Sequence, residues 1–221
     1  MDRKRDIIKI IDNMTGRYSA YEVFSDWIKC SALSISNSLA IIHDKVWKSR
    51  EKEYMATIQK YSDDERMKLV EMFNLLIETL EDNMSDVLGE IYMESGMGSK
   101  AAGQFFTPYH LSQACAAAAL SNMGEDERGV YRINEPSCGG GGMIIAIAEN
   151  LKNQGIDYQT KMQVIAQDLD WKGVYMCYLQ LSLLGIKAIC VQGDSLNNPY
   201  RPGETERDHM LITPGQMGVL L

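Results

Sequence analysis

Residues 133–142 read Ile-Asn-Glu-Pro-Ser-Cys-Gly-Gly-Gly-Gly and place a carboxylate, a thiol and four consecutive glycines in one short stretch. Glycines let backbone N–H groups approach a ligand closely, and a helix opening directly after them favours negative charge at its N-terminus. An apolar run from Val130 to Ile133 leads in, and a second from Met143 to Ala148 leads out. The spacing therefore predicts a strand, a tight glycine loop and a helix. In open α/β sheets, ligands bind beyond the carboxyl ends of strands, where this loop would lie. Taken alone, the stretch reads equally as a flexible turn.

Other segments carry compatible chemistry. In Gly103-Gln104-Phe105-Phe106-Thr107-Pro108, Thr107 has the character of an N-cap and Pro108 that of a first helical residue. A hydroxyl heading a helix suits a carboxylate ligand, and it suits equally a plain cap. Val164 to Gln167 is a short apolar run ending in Asp168, whose carboxylate at a strand end could accept hydrogen bonds from two vicinal hydroxyls. Asp170 reads as the cap of the next helix. Ile186 to Gln192 reads as a third strand, closed by Gly193-Asp194-Ser195-Leu196 and then by Asn197-Asn198-Pro199-Tyr200. Asp194 reads as a ligand or as a turn residue, and Asn-Asn-Pro as a turn.

In order along the chain, the Phe-Phe-Thr-Pro segment, the Glu-Pro-Ser-Cys-Gly run, Gln167-Asp168 and Gly193-Asp194 resemble the amino-methylating DNA methyltransferases. The likeness is strongest to the modification subunits of type I restriction systems, and it runs from about Gly89 to Leu196. It implies S-adenosyl-L-methionine as cofactor, with Phe106, Thr107 and Pro108 beside its methionine end. Glu135, Pro136, Cys138, Gly139 and Gly141 match the loop beneath it. Glu135 would receive the amino group or counter the sulfonium, and Cys138 reads as a small filler with no histidine near it to activate it. Asp168 would meet the ribose hydroxyls and Asp194 the adenine amino group. The family's Asn/Asp-Pro-Pro-aromatic loop, which accepts the protons of the target amine and stacks on the base, has its nearest counterpart in Asn198, Pro199 and Tyr200. Asn198 stands where the first proline should be, and no strand separates this loop from Asp194.

The 221 residues are enough for one large domain or two small ones, and a hydrophobic content of 45% can supply a core. Five scattered cysteines form no CxxC pair and read as buried free thiols, which suits a reducing cytoplasm. Three distant histidines give no metal-ligand spacing, so no metal is expected. No apolar run approaches the roughly 18 residues that span a bilayer, and no signal peptide is expected. The net charge of −8, without a long basic stripe, is unlike that of a chain that grips duplex DNA by itself. DNA as a partner would then be held with help from another subunit or a second copy of the chain.

These chemical segments need a scaffold. Ser19 with Glu22 and Ser62 with Glu65 have capping-box spacing. Phe24, Ile28, Ile35, Leu39, Ile42 and Val46 form one apolar stripe, and Val70, Phe73, Ile77, Leu80, Met84, Leu88 and Ile91 form another. A helical region over 1–98 is expected, with a break at Gly96, Gly98 and Gly103, followed by an α/β region over 99–221. The fold class expected is α/β: a partial Rossmann-like methyltransferase sheet of parallel strands behind a helical amino-terminal region. A last short strand is expected within Met217 to Leu221, and the shortened sheet leaves an edge that self-association would cover. Two functions follow: DNA adenine N6-methylation, or a non-catalytic module that binds the cofactor within a restriction-modification-like complex.

Overall fold

The computed structural model describes residues 2–97, 106–204 and 208–219. Five helices come first: α1 (Arg3–Asn13), α2 (Ala20–Ser38), α3 (Lys45–Ile58), α4 (Asp63–Asp82) and α5 (Val87–Glu94). After α6 (Tyr109–Leu120), strand and helix alternate: β1 (Tyr131–Glu135), α7 (Gly142–Asn153), α8 (Tyr158–Lys161), β2 (Met162–Asp168), α9 (Trp171–Leu183) and β3 (Lys187–Gln192). A short strand, β4 (Met210–Ile212), closes the series. The expected boundary at 98/99 lies outside the described residues, as do Gly98 and Gly103–Phe105.

Ser19 and Ser62 open α2 and α4 with the reciprocal capping boxes that their spacing predicts. The first apolar stripe is interrupted: α2 ends at Ser38, α3 begins at Lys45, and the connection leaves Ile41 and Ile42 exposed. The second stripe is turned in part. Leu69, Met72 and Leu76 are buried while Val70 is half-exposed and Phe73 and Ile77 only partly buried, so over its first half the core face lies about one residue from the sequence reading, whereas Leu80, Met84, Leu88 and Ile91 are buried as read. Asn83–Asp86 then separates α4 from α5.

The sheet runs β1-β2-β3-β4, with β1, β2 and β3 parallel and β4 antiparallel to β3. The fourth strand is therefore Met210–Ile212, not a segment within 217–221, of which Leu220 and Leu221 lie outside the described residues. It covers the edge of β3 and leaves β1 as the parallel edge strand. Connections of one hand along β1, β2 and β3 set α7 and α9 on one face. There Ile133, Val164, Ala166, Ala188, Cys190 and Leu211 are buried. The opposite face, with Arg132, Asn134, Gln163, Ile165, Lys187, Ile189 and Ile212, is exposed or only partly covered. Parallel sheets are ordinarily covered on both faces.

The helical region packs on the far side of α9, and the apolar core is continuous from Ile7 to Leu211. A buried ammonium ties the two. Lys172 Nζ donates to Tyr92 Oη at 2.8 Å and sits over the Tyr92 and Tyr21 rings at 4.5 and 5.0 Å. Among the described residues no helix is long and apolar enough to cross a membrane.

Candidate functional site

The glycine loop leaves the carboxyl end of β1 and is fixed from several directions. Cys138 N donates to Gln167 O at 2.9 Å, Gly139 N to Asp168 Oδ2 at 2.9 Å, and Gly141 N to Cys138 O at 2.7 Å. Gly139 and Gly141 have φ of +48° and +92°, a backbone region that side chains disfavour. A Cβ on Gly139 would lie 2.7 Å from the Phe106 ring, so that ring seats directly against the loop. A Cβ on Gly141 would instead meet Cys177 Sγ at 3.2 Å, on the side of α9.

Packed against the loop is Asp86, a residue that sequence reasoning missed. It is the N-cap of α5, only 4% exposed, with Oδ1 accepting from Gly89 N at 2.9 Å and from Gln180 Nε2 at 2.8 Å. Gln180 also donates to Gly140 O at 2.7 Å and accepts from Leu88 N at 3.0 Å. One buried amide thus joins α5, α9 and the loop. A Cβ on Gly89, Gly140 or Gly142 would come within 2.2, 2.7 or 2.9 Å of the Asp86 carboxylate. The glycine run is needed here because a carboxylate from another helix fills the space side chains would take. Its sequence signal is faint: Asp86 and Gly89 stand in cap spacing, and nothing in the chain marks which loop they will meet.

Above the loop is a cavity of about 450 Å³. Its lining includes Phe106, Thr107, Glu135, Cys138, Gly139, Asp168, Asp86 and Gly173. The cavity therefore gathers Phe106, Thr107, Glu135, Cys138, Gly139 and Asp168 from the sequence reading and adds Asp86. Pro108 lines the adjoining cavity, which Asp86, Phe106 and Thr107 share. Pro136, Gly141, Asp194, Asn198, Pro199 and Tyr200 stand outside the lining of the first cavity.

Three carboxylates, Asp86, Glu135 and Asp168, border this space among the described residues, which makes it a site for positive charge. Burial holds the Asp86 carboxyl above its ordinary range, despite the opposing hydrogen bonds from Gln180 and Gly89. Burial likewise raises Glu135, with a smaller contribution from the Asp168 charge. Asp168 accepts from Gly139 N through one oxygen and from Asp170 N, at 3.0 Å, through the other, so each oxygen keeps a lone pair for a ligand. Cys138 is buried against Cys177. That neighbouring thiol pulls its pKa down, but burial with the Cys190, Asp168 and Glu135 charges leaves it raised, so it is a poor nucleophile.

Thr107 does not cap α6. The cap position belongs to Pro108, whose ψ of 134° is not helical, and no side chain bonds the N–H groups of the first turn. The chain enters this helix one residue later than the Thr-Pro pair suggests, and Leu111 N and Ser112 N close on Pro108 O at 2.9 and 3.3 Å. Asp170 caps α9 as its position implies, accepting from Lys172 N at 3.1 Å.

The loop after β3 is built differently. Asp194 accepts from Leu196 N, Asn197 N and Asn197 Nδ2 within its own turn, and these bonds hold its carboxyl below the usual range. Asn198 and Pro199 are exposed. One contact reaches in from the sheet: buried Gln167 donates to Asn198 O at 3.1 Å and accepts from Tyr200 N at 3.0 Å.

A family model described as N-6 DNA Methylase matches residues 81–214, from just ahead of Asp86 to just beyond β4. No curated protein matches the chain. Among solved structures, the chain is similar to a protein assigned as a class I S-adenosylmethionine-dependent methyltransferase from Listeria monocytogenes. The TM-score is 0.48 and the identity 13%, over 89% of this chain and 55% of that one. It is also similar to the methyltransferase subunit of a type I restriction-modification system from Streptococcus thermophilus. There the TM-score is 0.45 and the identity 12%, over 91% of this chain and 59% of that one. The chain thus spans less than three fifths of the length of either structure.

Proposed function

Because the chain belongs to the N-6 DNA methylase family, we propose that it binds S-adenosyl-L-methionine in the cavity over the glycine loop and methylates the N6 amine of adenine in DNA. The observation that carries this reading is the meeting of three carboxylates and a glycine cradle around one cavity of about 450 Å³. That volume is ordinary for a small-molecule site, and the charge suits a molecule with a sulfonium and an ammonium.

When bound, the cofactor supplies a methyl group activated by its positive sulfur. The chain's residues bind and orient. The uncapped first turn of α6, with Phe106, Thr107 and Pro108, suits the carboxylate of the methionine end. Glu135 faces the sulfonium region, and Asp168 accepts from the ribose hydroxyls. Cys138 and Gly139 would line the floor, Pro136 and Gly141 would shape the loop behind it, and Asp194, outside this lining, would be the acceptor for the adenine amino group. Asn198, Pro199 and Tyr200 offer a carbonyl-bearing amide and a ring to a base drawn out of its stack. The helical region 1–98 and the α/β region 99–221 act as two functional parts in a reducing cytoplasm. With a net charge of −8, the chain depends on another subunit or a second copy for part of its grip on DNA.

The second reading, a module that binds the cofactor without transferring methyl groups, is favoured by one observation: Asn198, Pro199 and Tyr200 lie outside the cavity lining. Calorimetric titration with S-adenosylhomocysteine, followed by transfer of tritiated methyl groups to duplex DNA, separates the two. The enzyme reading expects binding and transfer, with Tyr200→Ala lowering transfer roughly tenfold or more while binding stays. Binding without transfer leaves the module, and absence of binding removes both.

A further inference from the structure

The Asp86 carboxylate has one satisfied oxygen and one that is not. Oδ1 takes both available donors, Gly89 N and Gln180 Nε2. Among the described residues nothing donates to Oδ2, although the residue is only 4% exposed. This oxygen points toward Gly89, Gly140 and Gly142, lying 2.2, 3.1 and 2.9 Å from the Cβ positions those residues lack. Asp86 also lines the cavity above the glycine loop. A buried carboxylate with a bare oxygen is costly unless a donor or a cation meets it.

We propose that Asp86, contributed by the helical region, is the anionic partner of the ammonium group at the methionine end of the cofactor. The proposal rests on the cofactor reading above and assigns a residue that neither the glycine loop nor the strand ends supply. Three features of the site support it. The neighbouring helix α6 starts beside the same cavity, with Thr107 ahead of it and Ser112 near its start in the lining, so the positive end of its dipole would suit the carboxylate of the same amino-acid end and the two charges of a zwitterion would each find a counterpart. Gln180 fixes Asp86 and the loop carbonyl Gly140 O together, so the carboxylate cannot swing away to solvent. Burial holds the Asp86 carboxyl above its ordinary range, as expected of an acid awaiting a cation. Glu135 is then left to the sulfonium. The consequence for the fold is that the helical region forms one wall of the binding site and is not merely an appendage to it.

Two ligands separate direct contact from loop support. S-adenosylhomocysteine carries the ammonium, whereas 5′-methylthioadenosine lacks the whole amino-acid end. Titration calorimetry on wild type, Asp86→Asn and Asp86→Ser gives the answer, serine being included because it keeps an N-cap oxygen for Gly89. The proposal expects both variants to bind S-adenosylhomocysteine about 10- to 100-fold more weakly, the range of a lost charge-assisted hydrogen bond, with 5′-methylthioadenosine binding unchanged. Equal losses for both ligands would overturn it, because Asp86 would then act only by shaping the loop. Unchanged affinity for both would overturn it as well, leaving a neutral structural carboxyl. If wild type itself binds neither ligand, the cofactor reading fails first, and that outcome is distinct from the other two.

Discussion

The loops that leave β1 and β3 emerge at the same end of one sheet, yet they are held in opposite ways. The loop after β1 is gripped by the Gln167 carbonyl, the Asp168 carboxylate and the Gln180 amide, packed against Asp86 and pressed by the Phe106 ring. The loop after β3 is closed by Asp194 within its own turn, exposes Asn198 and Pro199, and is tied to the sheet through Gln167. The first is a preorganised surface for a small cationic ligand. The second is closed largely on itself and presents Asn198 and Pro199 to solvent. In one chain, the half that would hold a cofactor is finished while the half that would meet a base is left open.

The most damaging change should fall on the braced loop. Gln180→Leu keeps the side-chain volume near constant but leaves Gly140 O and Leu88 N without these hydrogen bonds and Asp86 Oδ1 with one donor in place of two. Burying unsatisfied groups costs about 1–3 kcal/mol each, so a loss of roughly 3 kcal/mol or more is expected in urea unfolding. Affinity for S-adenosylhomocysteine should fall with it, because the loop and Asp86 lose their common anchor. A variant as stable as wild type would show that the brace is dispensable and would erase the contrast between the loops.

That brace also marks what the sequence could and could not convey. The glycine run, the three parallel strands, both capping boxes and α9 follow from local patterns of apolar and special residues, and the structure has them where the patterns put them. Asp86 is different. Its meaning comes from Gly140 and Gly142, which meet it only after α5, α7 and α9 have packed. No local pattern encodes a contact between a cap residue and a distant loop. The same limit explains β4: three residues, Met210–Ile212, pair with β3 after a long polar connection, while the more apolar tail drew the expectation to 217–221. Thr107 misled for a local reason, since either Thr107 or Pro108 could precede the first turn and the non-helical ψ of Pro108 decides between them. The turned face in the first half of α4 reflects tertiary packing, which selected Leu69, Met72 and Leu76 from a helix apolar over a wide arc.

A smaller effect, with a different signature, should follow from loosening the second loop. Gln167→Ala removes the donor to Asn198 O and the acceptor from Tyr200 N, while the backbone carbonyl of the same residue goes on holding Cys138 N. The glycine loop therefore keeps its contact through position 167. Cofactor affinity should stay within about threefold, and methyl transfer should fall roughly tenfold if Asn198–Tyr200 must be positioned for chemistry. A parallel loss of both would mean that the two loops form a single site and that their different construction has no functional meaning.

The mildest probe asks whether the braced loop opens at all. Of the five cysteines, Cys115 is exposed, while Cys30, Cys138, Cys177 and Cys190 are buried. Burial near Asp26 pushes the Cys30 thiol up to about 12, so at pH 8 it holds almost no thiolate. Cys138 lies directly under the cavity, with its pKa raised as well. Native protein treated with iodoacetamide at pH 8 should therefore lose one thiol, at Cys115, and all five once unfolded in urea. Mass spectrometry of the alkylated peptides reads this directly. Slow labelling of Cys138 in the free protein, suppressed by S-adenosylhomocysteine, would show that the floor of the cavity breathes. The brace through Gln180 would then be a hinge on which the loop moves, and the contrast between the two loops would be one of rate and not of order.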